Sequence, residues 1–99
     1  MIKKIASIKE KALPILKQRG IIRSSVFGSL VHGQDAKNSD VDILVELPEG
    51  TTLFGLIDLK HQLERALGKK VDLLTYRSLH PLLKEKILNE QVQIYGKRD

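Results

Sequence analysis

Between Val41 and Leu47 the chain reads VDILVEL, a run of β-formers interrupted by charge. Side chains alternate faces along a strand, so Val41, Ile43 and Val45 point to one side. Asp42 points to the other, and Asp40, two residues earlier, shares its face. Aspartate is a poor strand former and is seldom buried without a partner. The run therefore demands a sheet with one apolar face, and it leaves two like charges close together on the opposite face.

The other elements fit around that strand. Ile2, Ile5, Ile8, Ala12, Leu13 and Leu16 recur at helical spacing, and Gly20 ends the pattern. Pro14 falls inside this helix and predicts a kink or break near its last turns. IIRSSVF (21–27) is a β-rich run ending at Gly28-Ser29, and 28–39 is turn-like, with Gly33, Asp35, Asn38 and Ser39. Thr51 or Thr52 caps a second helix with an apolar stripe of Leu53, Leu56, Ile57, Leu63 and Leu67, closed by Gly68. KKVDLLTY (69–76) is a third strand. Ser78 and Pro81 open a last helix carrying Leu82, Leu83, Ile87 and Leu88, and His80 belongs to its start. The tail QVQIYGKRD is short enough to be an edge strand or a loosely packed end. The order α-β-β-α-β-α defines a small α/β (α+β) domain, a short sheet covered by helices.

At 99 residues and 41% apolar content, one domain spanning 1–99 with a small core is expected. No apolar run approaches a membrane span, and charges recur through MIKKIASIKEK, which excludes a signal-peptide apolar region there. The absence of cysteine excludes disulfides and thiolate metal sites and agrees with a cytoplasmic protein. The net charge is +5, but its distribution says more than its size. Residues 1–23 carry seven Lys or Arg against Glu10 alone, whereas residues 35–49 carry five acids against Lys37. An acidic block on a basic chain suggests a cation site within a surface that attracts polyanions, although a solvated helix face accounts for the N-terminal lysines. Phe27, Phe54, Tyr76 and Tyr95 are too few for a base-stacking platform.

Asp72 is the third acid set among β-formers, one helix after Asp42. That helix is long enough to bring the third strand beside the second, where Asp72 joins the other two. For any one of these acids a strand end or a lysine partner is the ordinary explanation, and Asp72 has Lys69 and Lys70 nearby. For the three together, a divalent cation explains the pattern better: Mg²⁺ prefers carboxylate oxygens, with waters and phosphates completing its shell. Three acids from two strands suit a metal pair roughly 3.5–4 Å apart, as used in phosphoryl or nucleotidyl transfer. Gly28 permits the close backbone approach a phosphate needs, and Ser29 adds a hydroxyl donor.

Gly28-Ser29, ten residues, then Asp40-Val41-Asp42 resembles the GS-x10-DxD signature of nucleotidyltransferases of the DNA polymerase β superfamily. Asp72, in its VDLL context, resembles their third carboxylate, and the short chain is similar to a minimal nucleotidyltransferase, with its short mixed sheet. The resemblance implies that Asp40 and Asp42 bind two Mg²⁺ ions that hold ATP, that Asp72 binds the catalytic metal and favours deprotonation of the attacking hydroxyl, and that Gly28 and Ser29 hold the β and γ phosphates. It implies transfer of AMP to a protein hydroxyl. The partner implied is a HEPN-domain ribonuclease toxin modified on tyrosine, with this chain as its antitoxin. Some members of the family act by binding alone, which is the alternative reading.

The chain departs from the family pattern at His32, which stands in GSLVHG where arginine is common (GSxARG). It also lacks a substrate-recognition domain, which argues for a partner protein that supplies the acceptor. Arg77, just past the third strand, is either near the nucleotide or a solvated turn residue. His61 is solvent-facing, and no pair of histidines has zinc spacing. A nucleic-acid-binding module would rest on the basic balance alone and would leave the acids unexplained.

Overall fold

The computed structural model describes residues 3–31 and 40–96, with Lys3 and Ser29 described in their backbone only. Ile2, His32 and the turn residues Gly33, Asp35, Asn38 and Ser39 lie outside the described residues. The first helix, α1 (Lys3–Gln18), buries Ile5, Ile8, Ala12 and Leu16 at three- and four-residue spacing. Pro14 does not break it. The helix runs through the proline, which is exposed, so the backbone bond that its ring removes lies toward water. α1 stops at Gly20, whose φ of +68° lets Ile21 N–H donate to Leu16 C=O at 3.0 Å and Gly20 N–H to Lys17 C=O at 3.1 Å. That pair of bonds is a Schellman closure.

Four strands follow: β1 (Arg23–Phe27), β2 (Val41–Glu46), β3 (Val71–Thr75) and β4 (Val92–Gly96). They form one mixed sheet in the order β3-β2-β1-β4. β1 is antiparallel to both β2 and β4, whereas β2 and β3 are parallel. A parallel pair needs a crossover, which α2 (Leu53–Leu67) supplies. Thr52 caps α2 by accepting from Gly55 N–H at 3.2 Å, and Gly68 closes it as expected.

The core-facing row of α2 is Leu56, Leu59, Leu63 and Leu67, with Leu59 and Leu63 buried and the two ends partly so. Leu53 and Ile57, expected in that row, are 69% and 42% exposed. At 100° per residue they lie roughly 75–115° around the helix from the row's centre, beyond the edge of a core-facing stripe.

α3 (Pro81–Glu90) is capped by His80, whose Nδ1 accepts from Leu82 N–H at 3.1 Å. Ser78 plays no part in opening α3. It closes a reciprocal capping box with Thr75 around the 3-10 turn Tyr76–Ser78. Within the tail, Val92–Gly96 is an edge strand: β4 buries Ile94 against the core, and its register with β1 shifts between Ser24 and Ser25.

The two sheet faces differ. Val26, Val41, Ile43, Val45, Val71 and Ile94 meet α1 and α2 in the main core. On the reverse face Phe27, Leu44, Tyr76 and Leu79 form a small second cluster, partly covered by Ile87 and Leu88 of α3.

Candidate active site

Two strand pairings assemble the site. In the parallel pair Asp42 stands directly beside Asp72, flanked by Val41 beside Val71 and Ile43 beside Leu73. In the antiparallel pair Asp42 stands opposite Phe27, so Gly28 leaves β1 next to the Asp42 carboxylate. The strand ends are tied as well: Val41 N–H donates to Lys70 C=O at 2.9 Å, and Val71 N–H donates to the Glu64 carboxylate of α2 at 3.0 Å. These bonds hold Asp40-Val41-Asp42 and Val71-Asp72 in step.

Burial of Val41, Ile43, Val45 and Val71 turns the acids to the α3 face. There Asp42 is half-buried, while Asp40 and Asp72 are exposed at the rim. Partial burial raises the Asp42 pKa above its ordinary value. The negative charges of Asp72 and Asp40, and a hydrogen bond with the Asp72 carboxyl, push it the same way. Neither Lys69 nor Lys70 forms an ion pair with Asp72 among the described residues, so a lysine partner does not account for that acid.

Gly28 is fitted to this crowding. Its φ of +78° is unfavourable for residues with a side chain, and a Cβ there would lie 3.1 Å from Asp42 Cγ and still closer to one carboxylate oxygen. The chain then makes one 3-10 turn, Gly28–Leu30, with Val31 N–H donating to Gly28 C=O at 3.1 Å.

The donor set suits a hard divalent cation in its chemistry. Two adjacent carboxylates, one of them held back from ionisation by partial burial and then by the other, gain from a positive charge between them. Among the described residues no three His, Cys, Asp or Glu side chains are grouped so that they could hold a metal ion, so Asp40, Asp42 and Asp72 do not stand as a ready three-ligand set. Mg²⁺ does not need one, because it commonly takes one or two carboxylates together with waters and substrate phosphates.

Some of the surrounding machinery was not anticipated. Ser25, 1% exposed, shares a 2.9 Å hydrogen bond with the Tyr76 hydroxyl, which donates to Gln91 Oε1 at 3.3 Å. Arg23 donates to Glu46 at 2.7 Å and lies over the Tyr76 ring at 4.1 Å. These bonds fasten the 3-10 turn Tyr76–Ser78 and the end of α3 to the sheet face that carries the acids. The only sequence signal was the pair of serines inside a β-rich run. Arg77 and His61 are exposed, and Tyr95 is partly buried.

A glycine turn leaving one strand and acids paired across the next two define a protein of the nucleotidyltransferase fold. Residues 10–99 match the family model described as "Polymerase beta, Nucleotidyltransferase", and the chain belongs to that nucleotidyltransferase family. It is 52% identical over 90 residues to a Methanocaldococcus jannaschii protein with a provisional protein adenylyltransferase name, covering 91% of this chain and 97% of that one. It is 40% identical over 80 residues to the protein adenylyltransferase MntA of Thermococcus cleftensis, covering 80% and 81% of the two chains. Among solved structures, one chain of a toxin–antitoxin crystal structure with AMP-PNP superposes with a TM-score of 0.78 at 26% identity, covering 91% of this chain and 74% of that one.

Proposed function

We propose that this chain, as one minimal domain, is a Mg²⁺-dependent protein adenylyltransferase that moves AMP from ATP to a hydroxyl of a partner protein. The observation that carries this reading is the register pair Asp42–Asp72 with Gly28 packed against it. Two relatives named for protein adenylyltransferase activity support the reaction class, and a toxin–antitoxin structure with AMP-PNP supports the nucleotide and the biological setting.

Asp40, Asp42 and Asp72 would hold Mg²⁺, which neutralises the triphosphate and the leaving pyrophosphate when bound. Gly28 gives the β and γ phosphates room to approach the backbone, and Ser29 stands next in the same turn. Asp72, exposed at the rim, favours loss of the proton from the attacking hydroxyl. That oxygen bonds to the α-phosphorus, the bond from the α-phosphorus to the bridging oxygen breaks, and pyrophosphate departs. Positioning and charge neutralisation do most of the catalysis. The acceptor is a HEPN-domain toxin, modified on tyrosine, in the cytoplasm. No helix among the described residues is long and apolar enough to cross a membrane.

The test uses α-labelled ATP, Mg²⁺ and the purified HEPN-domain partner. Label should pass to the partner, and Asp72→Asn should lower the rate about 10²–10³-fold, as removal of a transition-state contact does, while still binding the partner. A wild-type protein that binds both nucleotide and partner yet transfers no label would leave neutralisation by contact as the function.

A further inference from the structure

The acids occupy one end of the sheet face beneath α3, and a broad cleft opens at the other end. Its volume is about 670 Å³, and Glu46, Thr51, Tyr76, Arg77, Lys84 and Leu88 are among the residues that wall it. A space of that size takes a compact ligand or a short piece of polypeptide. It is not the phosphate site: neither the acids nor Gly28 line it. Yet it continues their surface, because Asp42, Leu44 and Glu46 alternate onto one face of β2. Four residues along a strand is roughly 13 Å.

Its charges indicate what would fill it. Arg23 is committed to Glu46 and to the Tyr76 ring. Arg77 and Lys84 are exposed and have no ion-pair partner among the described residues, against Glu49 as the one acid of the cleft that is likewise exposed and without an ion pair among them. Beside Lys84, the first turn of α3 leaves Leu82 84% exposed and Leu83 54% exposed. Bare leucines next to cations make up a protein contact, not a pocket for a small anion. Access leads to the same answer: α1 and α2 close the opposite face, so a macromolecular acceptor reaches Asp42 and Asp72 from the α3 side.

We propose that this cleft and the first turn of α3 form the docking surface for the acceptor protein. The surface takes an acidic segment with apolar neighbours against Arg77, Lys84 and Leu83, while the hydroxyl to be modified sits at the acids. The proposal rests on the protein adenylyltransferase reading above.

The experiment compares wild type with the double variant Arg77→Glu/Lys84→Glu. Both side chains are exposed, so the fold tolerates the change. Three quantities are measured: affinity for the purified HEPN-domain partner without nucleotide, KM for that partner in AMP transfer, and affinity for AMP-PNP with Mg²⁺. Partner affinity should weaken and KM should rise about ten-fold or more, as charge reversal at an electrostatically matched contact does, with AMP-PNP affinity unchanged. Lys9→Glu/Lys17→Glu on α1, the same change in charge, should leave all three as in wild type. Partner affinity equal to wild type in the Arg77/Lys84 variant overturns the docking surface alone. Loss of AMP-PNP affinity also overturns it, because the cleft would then serve the nucleotide. A wild-type protein that binds AMP-PNP but neither binds nor modifies the partner overturns the acceptor reading, and the surface falls with it.

Discussion

The two faces of the central sheet are made by alternate residues of the same strands, yet they do opposite work. Toward α1 and α2, Val26, Val41, Ile43 and Val45 are at most 3% exposed, and the buried Ser24 beside them spends its hydroxyl on Leu44 C=O at 2.8 Å. Toward α3 the same strands carry Arg23, Ser25, Asp42 and Glu46, and Leu44 is the one β2 residue buried there. The dry face specifies the wet one. A slip of one residue in β2 or β3 would send Asp42 or Asp72 into the core and bring valine out, so apolar burial enforces the register that pairs the acids. Precision at the site comes from the side of the sheet that takes no part in the chemistry.

The sharpest way to break that arrangement without touching the core is Gly28→Ala. The added methyl would press on the Asp42 carboxylate from a backbone conformation that alanine resists. Strain of this kind costs about 1–3 kcal/mol. Displacing Asp42 by even an ångström should lower transfer by about 10²-fold. Thermal melting and a transfer assay read the two effects separately. Retention of full activity would mean that the contact between Gly28 and Asp42 has no role in the reaction.

What could be read ahead of the structure follows the same division. Asp40, Asp42, Asp72 and Gly28 stood out because each breaks a local rule, a charge among β-formers or a glycine at a strand end. The period of two placed the acids on one face before any contact was known. The row of α2 was misjudged at Leu53 and Ile57 because a helix with leucines around much of its circumference does not disclose which row meets the sheet. α3 carries Leu82, Leu83, Ile87 and Leu88, but the small cluster of Phe27, Leu44, Tyr76 and Leu79 gives it little to cover, and Leu82 and Leu83 remain outside. The bond from Ser25 to Tyr76 joins residues 51 apart in the chain, so it depends on strand order, which local pattern does not encode.

That bond supplies the second test, of intermediate size. Tyr76→Phe keeps the ring over the small cluster and removes the hydroxyl, leaving the Ser25 side chain buried without it. An orphaned buried hydroxyl costs about 1–2 kcal/mol, a fall in Tm of several degrees in a domain of this size. The loss should appear as stability and leave the Mg²⁺ dependence of transfer unchanged. A melting temperature equal to wild type would show that the wet face is held by its apolar cluster alone.

The smallest expected effect is the most diagnostic, because its sign is opposite to that of most substitutions. Asp42 has a raised pKa in the fold, chiefly from partial burial and then from Asp72 and Asp40. Between its unfolded and folded pKa values the native state holds more proton than the unfolded chain. Stability therefore falls as pH rises through that window, and the deficit persists at neutral pH. Asp42→Asn removes the buried charge and its repulsion, so the metal-free variant should melt above wild type at pH 7. Solvent screening at the half-exposed site limits the gain to a few tenths of a kcal/mol, or roughly 1–4 °C. The gap should close as pH is lowered through the acid range, where wild-type Asp42 takes up its proton. Mg²⁺ should reverse the order, because ligand binding stabilises the fold that keeps its carboxylates. A melting temperature for Asp42→Asn at or below wild type across this range would mean that the acids are not in conflict without metal, and that the wet face is held at no expense to the fold.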